Sequence, residues 1–446
     1  MDKMNEKDML KKQILDLTAR YYSLAHDHSG EVFEPGKSRV NYAGRCFDER
    51  EMVNLVDSAL EFWLTSGKFT QEFEQRFAEM LGVKSVLLVN SGSSANLLAF
   101  MSLTVPELGN RRIKRGDEVI TVAAGFPTTV SPIVQYGAIP VFVDIEPGTV
   151  NIDPCLLEQA LSSRTRAVMI AHTLGNPFDL KRVGDFCKAH DLWLVEDNCD
   201  ALGSRYNGRL TGTFGDFGTS SFYPPHHLTM GEGGAVYTSN PQLAKIALSL
   251  RDWGRDCWCR SGVDNTCGCR FTRQFGSLPV GYDHKYVYSH FGYNLKATDM
   301  QAAIGCAQLE KLEGFSALRK RNYEYLRSRL EELDCLKIME KLPESDPAWF
   351  GFLMTLNEDA GFSRNELAEY LEKRNIQTRN LFSGNLTRHP CFDSMQNGVD
   401  YRIASSLENT DAVMNRALWI GVYPGMSMEK LTFMADSIIS FCRNTL

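Results

Sequence analysis

Residues 192–200, Leu-Trp-Leu-Val-Glu-Asp-Asn-Cys-Asp, join a continuous apolar run to a polar and acidic cluster. A short apolar run of this kind predicts a strand that is buried on both faces. Helical stretches separate it from similar runs, and this alternation predicts a mainly parallel seven-stranded sheet between helices, an α/β fold. Ligands bind such sheets beyond the carboxyl ends of the strands, so functional residues are expected directly after each run. The other six runs are 86–89, 119–122, 140–145, 167–171, 218–223 and 234–238.

The order of these patterns predicts three parts of the chain. Residues 1–40 form an N-terminal helical extension, and residues 41–330 form a large cofactor domain. Within that domain, residues 252–290 show no clear period, and a loop of this length is usually functional. Residues 331–446 form a smaller C-terminal α+β domain.

Helical spacing predicts the longer helices. Leucines and tyrosines at that spacing indicate a helix over 3–25, which could pack on a neighbouring subunit. A long helix is expected over about 298–330 and a C-terminal helix near 427–443. Ser363 precedes Arg-Asn-Glu, the pattern of a capped helix N-terminus.

Composition and charge are those of an ordinary soluble globular protein. Of 446 residues, 43% are hydrophobic and 23% are charged. The formal net charge of −7 gives no indication of binding to nucleic acid or to an anionic membrane. The charged N-terminus does not resemble a signal peptide, and no apolar run approaches a membrane span. A cytoplasmic enzyme is therefore expected.

Three strand ends carry candidate site residues. Residues 90–96, Asn-Ser-Gly-Ser-Ser-Ala-Asn, lead into a helix, and backbone N–H groups there suit either an anion such as phosphate or a simple helix cap. Phe126 follows the second run and could stack on a flat ring or pack in the core. Asp197 ends the fifth run, where a buried carboxylate needs a partner. A pyridinium nitrogen would be one, and a helix cap or an arginine would be another.

Five motifs together resemble the pyridoxal-phosphate sugar aminotransferases of the aspartate aminotransferase (type I) fold. These are SGSSANLLAF (91–100), VFVDIEPGTVNIDP (141–154), VEDNCDALGSRYNGRLTGTFGDFGTSSFYP (195–224), GEGGAV (231–236) and GYNLKATDMQAAIG (292–305). The resemblance runs from about residue 40 to the C-terminus.

The resemblance implies a role for each matching residue. Gly92, Ser93 and Ser221 would hold the cofactor phosphate. Phe126 would stack on the ring, and Asp197 would pair with the pyridine nitrogen. Asn294 would reach the phosphate in the other subunit, which implies a homodimer with shared active sites. Asp200, where relatives often have Gln, is expected at the cofactor or beside a metal cluster.

His226 departs from the family pattern. Relatives read approximately S-F-x-P-x-K-x-x-T-x-G-E-G-G, and the register set by Ser221 and by Gly231–Gly234 places His226 where they have the lysine. An imidazole cannot bond covalently to the cofactor aldehyde, but it can take a proton. His226 is therefore the predicted catalytic base of an enzyme that uses pyridoxamine phosphate and dehydrates a sugar, as the sugar 3-dehydrases of the family do. His227 is expected to pack or to support its neighbour.

Four of the twelve cysteines form a second departure. Cys199, Cys257, Cys259 and Cys267 make a C-x57-C-x-C-x7-C series. This series resembles the [2Fe–2S] ligand set of the 3-dehydrase members of the family. Thiolates suit zinc as well as iron–sulfur. Because Cys199 lies two residues from Asp197, on the order of 10 Å from the pyridine, the redox reading is preferred.

The resemblance implies that the enzyme catalyses C3 deoxygenation of CDP-4-keto-6-deoxy-D-glucose, a step toward 3,6-dideoxyhexoses of the O-antigen. An NADH-dependent flavin/iron–sulfur reductase would dock on the 252–290 loop and supply electrons. One alternative is a cluster-free 3-dehydratase that acts on a GDP-sugar, and another is a non-catalytic binding protein on a degenerate aminotransferase fold. Arg379, Arg388 and Arg402 are candidate diphosphate contacts, and a solvated surface position suits each equally well.

Overall fold

A computed structural model describes residues 3–27, 31–259 and 261–445. Fourteen strands lie within these residues. They are β1 (Ser85–Val89), β2 (Glu118–Val122), β3 (Ile139–Val143), β4 (Thr165–Ala171), β5 (Trp193–Asp197), β6 (Arg205–Tyr206), β7 (Arg209–Leu210), β8 (Phe217–Ser221), β9 (Gly234–Thr238), β10 (Leu336–Ile338), β11 (Ser345–Asp346), β12 (Gly351–Leu356), β13 (Arg402–Ile403) and β14 (Ala417–Gly421).

The main sheet has the strand order β1-β9-β8-β5-β4-β2-β3-β13. Strands β8, β5, β4, β2, β3 and β13 pair in parallel, whereas β9 is antiparallel to both β1 and β8. The seven predicted runs all form strands of this sheet, and the mainly parallel α/β fold is confirmed. The predicted count of seven is one short, because β13 joins the edge from the C-terminal part of the chain. With two residues, it carries no apolar pattern for sequence reasoning to detect.

The described chain also contains thirteen α-helices. They are α1 (Lys3–Ala25), α2 (Glu49–Glu61), α3 (Lys68–Leu81), α4 (Gly92–Ser102), α5 (Pro127–Tyr136), α6 (Leu157–Ala160), α7 (Leu180–Ala189), α8 (Pro241–Arg251), α9 (Asp299–Leu309), α10 (Leu312–Leu330), α11 (Arg364–Lys373), α12 (Glu408–Arg416) and α13 (Met428–Thr445).

The helix expected over 298–330 is two helices. Thr298 caps α9 in a reciprocal capping box with Gln301, and α9 ends at Leu309. Helix α10 begins at Leu312 after a short break, where the Lys311 ammonium is bonded to Glu51 of α2. That contact depends on a distant residue, so the helical pattern could not show the break. The other three expected helices form α1, α11 and α13, and Ser363 caps α11 in a capping box with Glu366.

A smaller antiparallel sheet, β10-β12-β14, packs against α10, α11, α12 and α13. One continuous apolar cluster joins it to the main sheet and includes Val168, Trp349 and Leu418. A third, short sheet, β11-β6-β7, links the two regions. The division into parts at residues 40 and 330 remains a prediction. No helix among the described residues is long and apolar enough to cross a lipid bilayer.

Candidate active site

A cavity of about 500 Å³ opens at the carboxyl ends of the central strands, where the predicted site residues were expected. Eight of the twelve predicted site residues line it. Its walls are Tyr42, Gly92, Ser93, Asn96, Val122, Ala124, Gly125, Phe126, Thr128, Ala171, Thr173, Asp197, Cys199, Asp200, Ser221, Tyr223, Pro225, His226, Phe350, Arg379, Asn380, Phe382 and Trp419.

The N-terminus of α4 forms an anion cradle at one end of this cavity. Ser91 caps the helix and accepts a hydrogen bond from the Ser94 N–H at 3.1 Å. Gly92 is required, because a Cβ there would lie 2.4 Å from Cβ of Ser221. Ser93 and Ser221 add hydroxyl groups to the helix N–H groups. Such an arrangement fits a phosphate group.

Asp197 is held at the end of β5 by three hydrogen bonds. Its Oδ2 accepts from Asn96 Nδ2 at 2.8 Å and from the Thr129 hydroxyl at 2.7 Å, and its Oδ1 accepts from the Cys199 N–H at 3.2 Å. Thr219 in turn donates to Asn96 Oδ1 at 2.7 Å. The carboxylate is buried and fixed, yet it borders the cavity. It can therefore pair with a cation in the pocket, as a pyridinium nitrogen would.

The Phe126 ring stands at the mouth of the cavity. Phe126 precedes α5 and is 52% exposed, although most large apolar side chains nearby are buried. Its only described ring contact is with Phe382, edge-on at 6.0 Å. A ring left open beside an anion cradle is suited to stacking on a flat cofactor, and core packing is not its role.

His226 projects into the same cavity from the turn between β8 and β9. Its side chain is nearly buried, and its Nδ1 lies 3.5 Å from Asp200 Oδ1. Burial, reinforced by the Arg319 charge, lowers the pKa of His226 to about 4. The imidazole is therefore neutral at neutral pH and able to accept a proton. His227 points elsewhere, and its Nε2 donates to the Ala348 carbonyl at 2.5 Å, as expected of a packing residue.

Asp200 is the second aspartate that lines the cavity. Burial, followed by the nearby Asp197 charge, raises the pKa of Asp200 well above its usual range. A neutral carboxylic acid can donate a hydrogen bond, which an ionised one cannot. The cavity thus holds a fixed carboxylate, a neutral acid and a neutral imidazole. Shifted pKa values such as those of Asp200 and His226 are typical of acid–base sites.

Asn294 does not line the cavity of its own chain. Its backbone forms an isolated bridge with Asp252, and its side chain is exposed. The prediction that it reaches the site of a second copy stays a prediction.

The four predicted metal ligands lie in two places. Cys257, Cys259 and Cys267 lie in the cysteine loop, residues 252–290, where the thiols of Cys257 and Cys259 share a hydrogen bond. Cys259 Sγ accepts from the Thr266 hydroxyl at 3.1 Å. Although burial opposes it, hydrogen bonding from Thr266 and its neighbours lowers the pKa of Cys259 to about 7. This loop thiol is poised to become a thiolate, the form that binds metals.

Cys199 lies apart from the loop thiols. It borders the cofactor cavity, 3.0 Å from the point that a Gly92 Cβ would occupy. Cys257 lines another cavity of about 220 Å³ against α8, and none of the residues around that cavity borders the first. Burial raises the pKa of the Cys199 thiol well above its usual range. The structure therefore places Cys257 beside Cys259 in the same loop as Cys267 and leaves the fourth predicted ligand in the cofactor pocket.

Two further groups lie beside the loop thiols. The ligand atoms of Cys267, Cys269 and His284 lie within 4.8 Å of one another, the one such trio among the described residues. His284 is buried, and its Nδ1 is 3.6 Å from Cys267 Sγ. Cys269 is not in the predicted ligand set, because it lies outside the matched spacing.

Sequence reasoning also missed the residues that support the site. Asn96 and Thr129 hold Asp197, and Arg319 contacts the His226 turn from α10. Asn96 lies one helical turn beyond Gly92 and could have been suspected from that spacing. Of the three candidate arginines, Arg379 borders the cavity. Arg388 and Arg402 are bonded to Asp411 and Glu118 at 2.7 Å and lie outside it.

Together the sheet and this pocket define an α/β pyridoxal-phosphate-dependent transferase fold. Residues 45–439 match the DegT/DnrJ/EryC1/StrS aminotransferase family, and the chain belongs to this family.

Two curated relatives are 52% identical to it. One is dTDP-4-dehydro-2,6-dideoxy-D-glucose 3-dehydratase of Saccharopolyspora spinosa, over 93% of this chain and 89% of that protein. The other is lipopolysaccharide biosynthesis protein RfbH of Salmonella typhimurium, over 97% and 98%. Among solved structures, Escherichia coli GDP-4-keto-6-deoxy-D-mannose-3-dehydratase with bound hydrated PLP is 27% identical, with a TM-score of 0.80 over 90% of this chain and 99% of that one.

Proposed function

We propose that this protein is a pyridoxamine-phosphate-dependent 3-dehydratase of a nucleotide-linked 4-keto-6-deoxyhexose, the CDP-linked sugar in the first instance. The observation that carries the proposal is the neutral His226 imidazole, which occupies the place of the family lysine inside a pocket that retains Asp197 and the anion cradle. Relatives at 52% identity include a sugar 3-dehydratase and a lipopolysaccharide biosynthesis protein, which supports this reaction class and its place in deoxysugar synthesis.

The residues present fit the cofactor. Gly92, Ser93 and Ser221 would hold its phosphate, Phe126 would cover one face of its ring, and Asp197 would pair with the ring nitrogen. When bound, this group supplies an electron sink and an amine that can condense with a ketone.

The remaining chemistry belongs to the chain. His226 takes a proton from carbon and holds it near the hydroxyl that leaves, because its neutral ring is the only imidazole among the described residues that line the pocket. Asp200, kept neutral, donates a hydrogen bond within the same pocket and adds no second negative charge. Because His226 has an imidazole and no amine, it can act as a base but cannot bond covalently to the cofactor. This favours loss of water from the sugar over amino transfer.

Substitution of His226 tests the base. In His226→Asn, dehydration of the CDP-linked ketosugar should fall by about 10² to 10⁴-fold, the usual contribution of a general base. Bound pyridoxamine phosphate should remain, since its contacts lie elsewhere. His190→Asn is the matched control, because His190 pairs with Glu158 outside the pocket. Full turnover by His226→Asn would overturn the assignment.

We also propose a [2Fe–2S] cluster on Cys199, Cys257, Cys259 and Cys267. The spacing of the four cysteines and the lowered pKa of Cys259 support it. In the conformation described, Cys199 is separated from the other three cysteines, so the four residues of one chain do not fit a single [2Fe–2S] cluster. No step of the reaction is therefore derived through a cluster. The proposal requires the loop of the same chain or of a second copy to bring its thiols to Cys199.

Metal analysis after anaerobic purification separates the possible ligand sets. The cluster should give about two irons and two sulfides per chain. Cys199→Ser should lose iron, and Cys155→Ser, an exposed cysteine outside both cavities, should keep it. Iron that survives Cys199→Ser but disappears in Cys269→Ser would contradict the predicted set. Zinc in place of iron would contradict the cluster.

A cluster-free 3-dehydratase that acts on a GDP-sugar is the second candidate. It is favoured by the position of Cys199, which lies with the cofactor residues and not with the loop thiols. Iron-free protein that converts GDP-4-keto-6-deoxymannose, and not the CDP-sugar, would establish this candidate in place of the first.

We further propose a cytoplasmic homodimer in which Asn294 of each copy reaches the cofactor phosphate of the other. An NADH-dependent flavin/iron–sulfur reductase would dock on the cysteine loop. Exposed aromatic rings on this loop and its stem support a docking role, among them Phe271, Tyr286, Tyr288 and Phe291. Binding of a purified reductase to the loaded enzyme, lost when these rings are replaced by serine, is the expected result.

A further inference from the structure

Arg319 is a buried cation behind the active site. It lies on α10, is 1% exposed and does not border the cofactor cavity. Its pKa is lowered to about 10, chiefly by burial, so the guanidinium still carries its charge at neutral pH. Among the ion pairs within 4.0 Å that the described residues form, none includes this side chain. A buried charge without a salt bridge requires another set of partners.

The partners of Arg319 are backbone carbonyls from two separate segments. Nη2 donates to the carbonyls of Pro225 at 3.2 Å and of His226 at 3.3 Å. Nη1 donates to the carbonyls of Trp349 and Phe350, both at 3.3 Å. The planar fork of a guanidinium can satisfy two pairs of acceptors in fixed geometry, which a lysine ammonium cannot do.

Both segments end in rings that form the active site. The His226 ring enters the cavity, and the Phe350 ring lies 5.2 Å from it, at 32° to its plane, and lines the same cavity. The His226 backbone is held on its other side as well, because its N–H donates to the Tyr223 carbonyl at 2.9 Å. The guanidinium therefore sets the spacing between the His226 peptide and the Phe350 wall.

We propose that Arg319 is the positioning residue for His226, holding the base in reach of the reacting carbon by clamping residues 225–226 to residues 349–350. This inference rests on the proposed function, since it takes His226 as the base. Arg319 touches neither the substrate pocket nor the predicted cofactor contacts. Its four hydrogen bonds act through the two backbone segments, and its charge also lowers the pKa of His226.

The position of the side chain at residue 226 can be tested by a measurement that does not depend on enzyme activity. In a His226→Lys protein the introduced lysine should bond covalently to added pyridoxal phosphate, and the bond is seen as a new visible absorbance band. Arg319→Met, added to that variant, keeps a side chain of similar length but removes all four hydrogen bonds. Non-covalent cofactor binding should persist, because Asp197 and the anion cradle are untouched. The bond should form about 100-fold more slowly, the effect expected of a displacement near 1 Å.

Two comparisons make the result specific. Arg319→Lys restores the charge but cannot bridge both segments, so it should recover only part of the rate. Arg321→Met changes an exposed arginine on the same helix, whose hydrogen bonds within the described part of the chain go to Asn322, and it should leave the rate unchanged. Bond formation at the full rate in Arg319→Met would overturn the proposal. A full rate in Arg319→Lys, if the methionine variant does not fold, would also overturn it, because charge alone would then suffice.

The outcome for the proposed function is separate. If His226→Lys with Arg319 intact forms no bond, the register at residue 226 is wrong and the proposed function fails. If the bond does form, the positioning role is checked independently with the native histidine, where Arg319→Met should lower kcat for dehydration about 100-fold and leave KM unchanged. An unchanged kcat, or a rise in KM alone, would contradict it.

Discussion

The cofactor pocket and the cysteine loop differ in what holds their functional side chains. In the pocket, Gly92 begins a helix, and Asp197 ends a central strand and is fixed by hydrogen bonds from Asn96 and Cys199. In the loop, the described residues between 252 and 290 form turns, isolated bridges and one short 3₁₀ helix, His284–Tyr286. Regular structure converts sequence position into spatial position, and an irregular loop does not. For the pocket, the sequence therefore predicted where the side chains lie, whereas for the loop it predicted only which residue types are present.

The largest effect is expected at the centre of the pocket. Asp197→Asn keeps the shape of the side chain but removes the negative charge that would face the ring nitrogen, so dehydration should fall by at least about 100-fold. Asp185→Asn, a surface change on α7, is the control. Rates from purified enzyme saturated with pyridoxamine phosphate decide the question. A loss of less than threefold would mean that Asp197 does not meet the ring.

A smaller effect, on cofactor affinity, is expected when a methyl group is added inside the anion cradle. Gly92→Ala would place a methyl group 2.4 Å from Cβ of Ser221 and 3.0 Å from Cys199 Sγ, so α4 must shift. Such overpacking costs about 1–3 kcal/mol. If the cost falls on the shape of the cradle, cofactor affinity should fall by about 5- to 150-fold. Gly184→Ala, where a Cβ meets nothing within 4 Å, is the matched control. Equal affinities of the two variants, measured by equilibrium dialysis, would refute the cradle.

The same contrast explains what sequence could and could not give. Seven strands and the residues at their ends followed from apolar runs, since a strand fixes the direction and spacing of its side chains. The two-residue strand Arg402–Ile403 and the break before Leu312 depend on long-range contacts and left no local pattern. Arg319 lies 93 residues from His226, and nothing in the helix around it indicates that it donates to the His226 carbonyl.

The loop presents the opposite case, in which a clear sequence pattern does not determine the geometry. The spacing of the cysteines predicted that Cys199 and the loop thiols bind one metal centre. In the structure, Cys269 and His284 are the residues that lie beside Cys267. A thiol series constrains the metal chemistry that is possible, but the loop backbone decides which thiols meet. For this reason the metal ligands must be identified by metal analysis, whereas the positions of the residues that line the pocket follow from the fold.

A change at the stem of the loop should separate the two regions. Gly254 has a φ of +84°, and a Cβ there would lie 1.9 Å from the His290 carbonyl oxygen. Gly254→Ala should therefore open the stem, where the Ser289 N–H donates to the Gly254 carbonyl at 2.9 Å. Local strain of this kind costs about 1–3 kcal/mol. Hydrogen exchange should quicken across residues 252–290 and stay unchanged across β5 and β8. Faster exchange in those strands would show that loop and pocket are one cooperative unit.

The smallest expected effect concerns His227, which belongs to the framework behind the pocket. Burial lowers the pKa of His227 in the folded protein well below its usual value of about 6.5. At pH values between the lowered pKa and about 6.5, the unfolded chain therefore binds a proton that the folded chain does not. Stability must then rise with pH across this window and fall on acidification. His227→Gln can still donate to the Ala348 carbonyl but does not titrate. Between about pH 7.5 and pH 5.5 its free energy of unfolding should therefore fall by about 1.4 kcal/mol less than that of the native protein. Denaturant titrations at the two pH values measure this difference, and parallel losses in both proteins would show that His227 is protonated in the folded state.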